Sequence, residues 1–455
     1  MGAAGLGREL DGRLEAQRIA RGLGVELPLS ASLRRAAAGF LFKFLSSPLE
    51  RACRLLVVLV AAPALGATDF GTYQFASTVT AMLAAGTELG LGTWTTRALA
   101  REPARAGAIM ATGLWIRSAA ALPYVFLLAA VVALQPRGDS RRAMLVFGAA
   151  AAANSLVDYF GAIMRGREDF RHEATVNAMR AVLTTLSALA ALGVARSLLG
   201  LSLGMALGAT LGAAFAGWFL FARYRELVAE GRAARPTRAV ARAVVREAVP
   251  LWLSGLLAML YFRSDIVFVR YFSGDAEVGA YAAAYRIFEA TLVLPSAVMA
   301  VAFPRLVRAR GAELGARGAT RRVTPLEIQL LALLLALGLV VAAGISLADD
   351  RIVGLLLGAT FDRSIPSLRV LALTVPTMFV SFALCYFVIA RGLERGFAKV
   401  LGAMLALNVG LNLTLVPRRG GVGAAWATLA TELALIAACG ALLVLSESRA
   451  AESAG

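Results

Sequence analysis

The chain is a succession of long apolar runs broken by short clusters of arginine, glycine and proline, and this rhythm leaves few ways to fold. A helix needs roughly 20 apolar residues to cross a bilayer, and a turn must follow each crossing. Runs near 36–64, 70–96, 107–134, 143–164, 174–194 and 198–222 meet that requirement, as do a second set near 248–270, 278–303, 326–347, 367–390, 397–416 and 422–445. Apolar residues make up 59% of the 455 and charged residues 16%, where a soluble domain averages about 45–50% and 25%. Backbone in hydrocarbon must satisfy its own hydrogen bonds, so the expectation is an all-α polytopic membrane protein with about 12 transmembrane helices. Little length remains for a soluble catalytic domain, and the chain is not expected to be an enzyme.

The formal charge of +17 would suggest a nucleic-acid partner in a soluble protein, but here it falls mainly in loops and reads as topology. The stretch from Arg223 to Arg246 holds seven arginines, and that from Arg305 to Arg322 holds six. Even-numbered loops carry about 22 cations against about 10 in the odd ones, which places the even loops and both termini in the cytoplasm. Arg137, Arg141 and Arg142 run against the trend. Residues 1–34 lack the apolar core of a signal peptide and are expected to form a cytoplasmic tail or surface helix. Cys53, Cys385 and Cys439 show neither metal-ligand nor redox spacing, which points to packing roles. His172, in an even loop, reads as a solvated side chain. No HExxH, Walker loop, GxSxG or paired carboxylates appear, so neither a metal nor another cofactor is expected, and transport must draw on gradients or membrane potential.

An internal repeat divides the chain. Gly66, Asp69, Gly71 and Tyr73 recur at one constant offset as Gly274, Glu277, Gly279 and Tyr281, and Ile163–Glu168 has a counterpart in Ile389–Glu394. Because the repeat unit holds an even number of spans, both halves enter the membrane from the same side. A parallel repeat of this kind puts a pseudo-two-fold along the membrane normal and a cavity between two six-helix lobes. The expected division is an N-lobe over 35–222, a basic linker over 223–247, a C-lobe over 248–446 and a tail over 447–455.

Several ionisable groups fall within spans: Lys43, Glu50, Arg51, Arg54, Glu88, Arg117, Asp158, Arg180, Arg263, Asp265, Arg286, Glu289 and Glu432. Each costs about 2.5–3.5 kcal/mol at mid-membrane, so they should face protein or a wet cavity. Arg54, Arg117 and Arg180 could instead snorkel from helix ends. Arg286 and Glu289 lie one turn apart and can pair. Arg263 and Asp265 cannot share a face; either Arg263 serves Asp265 locally or each has its own neighbour. First-span cations and those of spans seven and eight occupy matching places in each half and so oppose one another across the axis. Guanidinium groups there suit a phosphate. Asn154, Asn177, Asn408 and Asn412 could bond sugars or simply pack helix to helix.

The segment Gly66–Tyr73, then Glu88–Gly92 and Thr96-Arg97, resembles the opening of the bacterial polysaccharide-biosynthesis flippases. Pro250–Gly255, Arg263-Ser264-Asp265, Val278–Tyr281, Ala284–Arg286, Phe303–Arg305 and Gly420–Ala425 with Thr428 resemble the same family. The likeness covers almost everything after about residue 35 and implies the oligosaccharide-lipid (O-antigen type) branch of the multidrug/oligosaccharidyl-lipid/polysaccharide (MOP) exporter superfamily. Such proteins carry undecaprenyl-diphosphate-linked oligosaccharide across the bacterial inner membrane, alongside glycosyltransferases and a polysaccharide polymerase. By position, the resemblance makes Arg51, Arg54, Arg263 and Arg286 the substrate-binding candidates, with Glu88, Asp265 and Glu289 as coupling or pairing groups. The competing expectation is a multidrug or organic-cation antiporter of the same superfamily, which a cation-rich cavity disfavours.

Overall fold

The computed structural model describes residues 31–136, 138–234, 236–315 and 324–452, among which there are helices and no strands. Residues 1–30 of the expected tail over 1–34, the side chain of Lys43, Arg137 and part of the Arg305–Arg322 loop lie outside what is described. Among the described residues nine helices are long and apolar enough to cross a membrane, and a tenth crossing is a helix bent by 49° between Pro250 and Gly255. Proline has no N–H to donate and crowds the preceding turn, which accounts for the bend. Two of the nine are helical hairpins fused end to end, with non-helical backbone at Gly66 and Gly420. Counting each as two gives the twelve that the apolar rhythm predicts.

The first lobe comprises α1 (31–65), α2 (67–88), α3 (Ala106–Ala133), α4 (Asp139–Gly166), α5 (Phe170–Ala195) and α6 (Leu198–Arg223). The second comprises α7 (Arg238–Arg263, resuming as Asp265–Ser273), α8 (Asp275–Thr291, resuming as Val293–Gly315), α9 (Pro325–Leu356), α10 (Ile365–Ala390), α11 (394–419) and α12 (421–452). Short helices Leu91–Arg101 and Arg225–Ala233 lie between spans. The apolar run at 70–96 is therefore cut: α2 stops at Glu88, and positive φ at Leu89 and Gly90 turns the chain into Leu91–Arg101. α7 begins at Arg238, well inside the basic stretch between the lobes.

The repeat is visible in the backbone. Gly66 (φ 73, ψ 172) and Gly274 (φ 84, ψ 179) adopt the same conformation, one open essentially to glycine alone, and each links the first helix of its motif to the second. Five residues on, the two copies interlock. A Cβ on Gly71 would overlap the Asp275 carbonyl oxygen, and one on Gly279 would overlap that of Ala67. Ala67 and Asp275 are themselves related by the repeat offset, so this is one contact made twice across the pseudo-two-fold. Arg270 adds an ion pair to Asp275 and lies over the Phe75 ring at 5.5 Å, while the Thr72 hydroxyl bonds the Asp275 carboxylate. Phe70 packs edge-on against Phe361, ring centroids 5.7 Å apart. This end of the molecule, the glycine end, is sealed.

At the opposite, arginine-bearing end the lobes meet along the α2–α7 edge. Trp252 Nε1 donates to the Ala85 carbonyl at 2.9 Å and Trp94 Nε1 to Glu247 at 3.0 Å. Within each lobe, the repeated arginine motif anchors a neighbouring helix: Arg165 to Glu173 at 2.6 Å, and Arg391 to Glu327 at 3.1 Å. The second pair is almost wholly buried, at 3% and 2% exposure.

Gly71→Val should therefore force the glycine end apart. In a background lacking the native cysteines, a cysteine replacing the buried Thr72 should become reactive to a water-soluble maleimide only when Gly71→Val is also present. Equal, low reactivity with and without that change would show that the glycine contact does not hold the end closed.

Candidate functional site

Between the lobes, below the glycine seal, a string of charged side chains crosses from one to the other. α8 supplies Arg286 and Glu289 one turn apart, paired at 2.7 Å. α7 ends its first segment at Arg263, which reaches the other Glu289 oxygen at 2.9 Å. One carboxylate thus holds two guanidinium groups, each between a fifth and a third exposed. The second Nη of Arg286 donates to Gln74 Oε1 of α2 at 3.3 Å, which bridges the lobes. From the N-lobe, Arg54 of α1 lies in the electrostatic field of Glu289, Arg286, Glu50 and Arg180. Arg180 pairs with Asp158 at 2.8 Å and with Glu50 at 3.9 Å. Opposite charges alternate along this string, and partial exposure keeps it wet enough to be tolerated inside the span.

The structure brings together Arg54, Arg263, Arg286 and Glu289. Arg51 lies one turn from Arg54 on α1 and, like it, is exposed, but no described hydrogen bond or ion pair joins it to the group. Glu88 lies at the end of α2 against the turn at Gly92, away from the others. Arg117 and Arg180 do not snorkel. Arg117 donates to Ser155 and stacks over Tyr159 at 5.5 Å, and Arg180 is engaged as above. Both reach inward because a partner on an adjacent helix offsets more than interfacial water would.

Arg263 and Asp265 do not pair. The helix breaks at Ser264, so Arg263 turns to Glu289 while Asp265 opens the second segment inside the C-lobe, 4% exposed. Its carboxylate accepts from Tyr281 Oη at 2.9 Å, Asn412 Nδ2 at 3.0 Å and Thr428 Oγ1 at 3.2 Å. Asn408 joins through Asn412 and Ser264, so these two asparagines serve a buried carboxylate rather than the cavity. Three donors, two hydroxyls and an amide, thus satisfy one carboxylate. No cluster of three or more His, Cys, Asp or Glu capable of holding a metal exists among the described residues.

A cavity of about 970 Å³ lies elsewhere, at the arginine end of the N-lobe beside Arg167, Asp169, His172, Tyr224 and Arg225. It lies apart from the inter-lobe string, and its lining mixes both charges. His172 is not simply solvated there: Nδ1 sits 2.6 Å from Asp169 Oδ1, and the ring packs on Phe219 at 5.1 Å. Burial pushes the Asp169 carboxyl up, but hydrogen bonds from the Tyr224 hydroxyl and His172 outweigh it and hold the group below its ordinary value. A carboxyl whose folded-state value is depressed stabilises the fold above its unfolded value and loses that contribution as pH falls through the folded one. Asp169→Asn should accordingly flatten the acid-side decline of thermal stability, measured in detergent between neutral pH and about pH 3. An unchanged acid limb would mean that the constellation contributes nothing to folding.

The chain matches the polysaccharide biosynthesis protein family over residues 36–310, more than half its length. No curated protein matches it by sequence. Among solved structures it superposes on a multidrug resistance MATE family transporter of the MOP superfamily in an inward-facing conformation, with TM-score 0.70 and 16% identity over 87% of this chain and 95% of the other. It also superposes on the lipid II flippase MurJ in an inward closed conformation, with TM-score 0.61 and 11% identity over 88% and 86%. A MOP superfamily transporter from Pyrococcus furiosus, described as having a binding pocket of reverse polarity, aligns at TM-score 0.58 and 16% identity over 91% and 94%. Family match, helical architecture and two-lobed repeat agree: this chain belongs to the polysaccharide biosynthesis protein family, and its fold is that of the solved MOP superfamily transporters.

Proposed function

We propose that the protein flips an undecaprenyl-diphosphate-linked oligosaccharide from the cytoplasmic to the outer leaflet of the bacterial inner membrane, by alternating access around the inter-lobe cavity. The observation that carries this is Glu289 holding both Arg263 and Arg286 opposite Arg54. A single carboxylate shared by two guanidinium groups is a stand-in that a diphosphate can displace. The incoming ligand brings about two negative charges and paired oxygens that match the forked donors. Arg286 also touches Gln74 across the lobes, so an anion that draws Arg286 toward itself loosens an inter-lobe contact as it binds.

An inside-negative potential assists this direction. Moving two negative charges outward through 100 mV releases about 4–5 kcal/mol. The organic-cation antiporter would need carboxylates free of arginine facing the cavity. Asp265 and Glu432 have no arginine partner among the described residues, but at 4% and 2% exposure they are sealed inside the C-lobe and can reach no organic cation in the cavity.

In proteoliposomes loaded with lipid-linked oligosaccharide, Arg263→Lys and Arg286→Lys should each slow flipping about tenfold or more despite the retained charge, because an ammonium loses the two-pronged geometry. Full activity in both variants would remove the diphosphate reading. Orientation is checked separately. A cysteine at the exposed Thr68 should react with an impermeant thiol reagent added to intact cells, and one at the exposed Ala229 should not. The reverse pattern would overturn the direction of transport.

A further inference from the structure

The C-lobe contains a second buried carboxylate that the cavity does not use. Glu432 lies in the middle of α12, 2% exposed, with no basic partner among the described residues. Two hydroxyls meet it from other helices. Tyr261 Oη of α7 is 2.9 Å from Oε1, and Ser381 Oγ of α10 is in close contact with Oε2. Counting hydrogens leaves two wirings. A serine hydroxyl has one hydrogen, and Ser381 Oγ also lies 3.0 Å from the Met378 carbonyl, which can only accept. If Ser381 donates to Met378, the contact with Glu432 needs a hydrogen from the glutamate, and the chain runs Tyr261 to Glu432, Glu432 to Ser381, Ser381 to Met378. If Ser381 donates to Glu432 instead, Tyr261 and Ser381 both serve an ionised carboxylate. Burial chooses between them.

The alternative, an ionised Glu432, would leave a full charge in the lobe interior with no cation and no helix terminus beside it, which the interior does not support. Asp265 differs. It heads the helix segment Asp265–Ser273, where the backbone N–H groups favour negative charge, and it draws a bond from the Asn412 amide. The remaining titratable groups facing Glu432 are Tyr285 of α8, Cys385 of α10 and Cys439 of α12 itself, all neutral partners. Tyr285 also stands in the field of Arg263 and Glu289, so it lies between Glu432 and the cavity charges.

We propose that Glu432 is a proton-binding site of the transport cycle, loaded in this conformation, and that Tyr261 and Ser381 are its positioning residues. Release transfers the Oε2 proton to water and leaves a carboxylate. Ser381 must then turn its hydrogen away from Met378, so the bridge tying α7, α10 and α12 is rebuilt when the proton leaves. The site stands whichever anion the cavity carries.

The test uses the purified full chain in lipid nanodiscs without any substrate. Infrared difference spectra between neutral and alkaline pH should show the carbonyl stretch of a protonated carboxylic acid, shifted in deuterated water. Glu432→Gln, which preserves shape and both hydrogen bonds, should abolish that band, and Asp265→Asn should leave it. Tyr261→Phe keeps the acid but removes a donor to its carbonyl, so the band should move to higher frequency. In parallel, in the chain lacking its native cysteines and carrying Gly71→Val, the maleimide reactivity of a cysteine at Thr72, divided by that of a cysteine at the exposed Thr68 to remove the thiol's own titration, should vary with pH, and Glu432→Gln should remove that variation. A band that persists in Glu432→Gln, or no such band in the wild-type chain, overturns the protonated assignment. Unchanged pH dependence of labelling in Glu432→Gln overturns the link to the cycle. Since no lipid-linked sugar is present, these failures are distinct from a failure of the arginine variants to impair flipping.

Discussion

Two backbone contacts related by the pseudo-two-fold carry the architecture. Where α2 and α8 cross, Gly71 lies on the carbonyl oxygen of Asp275 and Gly279 on that of Ala67. Apolar side chains give helices in lipid no net reason to associate, since lipid tails are equally apolar; close approach of small residues supplies the dispersion instead. Side chains reinforce it, Arg270 through its ion pair with Asp275 and Phe70 against Phe361. Farther along the same two helices Arg286 reaches Gln74 between the lobes.

The charges below the seal follow from the same constraint. An unpaired arginine inside a span is costly. Sharing Glu289 between Arg263 and Arg286 satisfies both guanidinium groups with half of a carboxylate each. The C-lobe then separates its charges by depth. Arg263 turns to Glu289, while one residue beyond the break at Ser264 Asp265 faces the interior, and Glu432 lies a helical turn past Thr428 on α12.

Much of this was legible in the sequence because it rests on periodicity and local spacing. The twelve crossings follow from apolar run lengths, the repeat from Gly66–Tyr73 and Gly274–Tyr281, and the Arg286–Glu289 pair from a spacing of one turn. What escaped depended on contacts between distant segments. Asp265 finds Asn412 and Thr428 on the last two helices, and Glu432 finds Tyr261 on the seventh, partners that no local pattern announces. Cys385 and Cys439, unremarkable by spacing, are hydrogen-bond neighbours between α10 and α12. Arg117 was placed by Ser155 and Tyr159 on the adjacent α4, so helix-end snorkelling was the wrong physical competitor. Arg51 and Arg54, three residues apart, share a helix face, so spacing alone does not tell them apart.

The two anchoring arginines show how far the halves have drifted apart. Arg165 and Arg391 are the same residue of the repeated motif, but the position that holds Glu173 in the first half holds Lys399 in the second. Deprived of that carboxylate, Arg391 turns to Glu327 at the head of α9, where Thr324 and Glu327 also form the cap of that helix. A chain built from two copies of the second half would set Arg391 beside Lys399 in both lobes and hang each on a helix cap. One built from two copies of the first would lose the clamp on α9. The halves are complementary rather than interchangeable, and their symmetry is tightest in the glycine contacts at the axis, where each half needs the other to be the same.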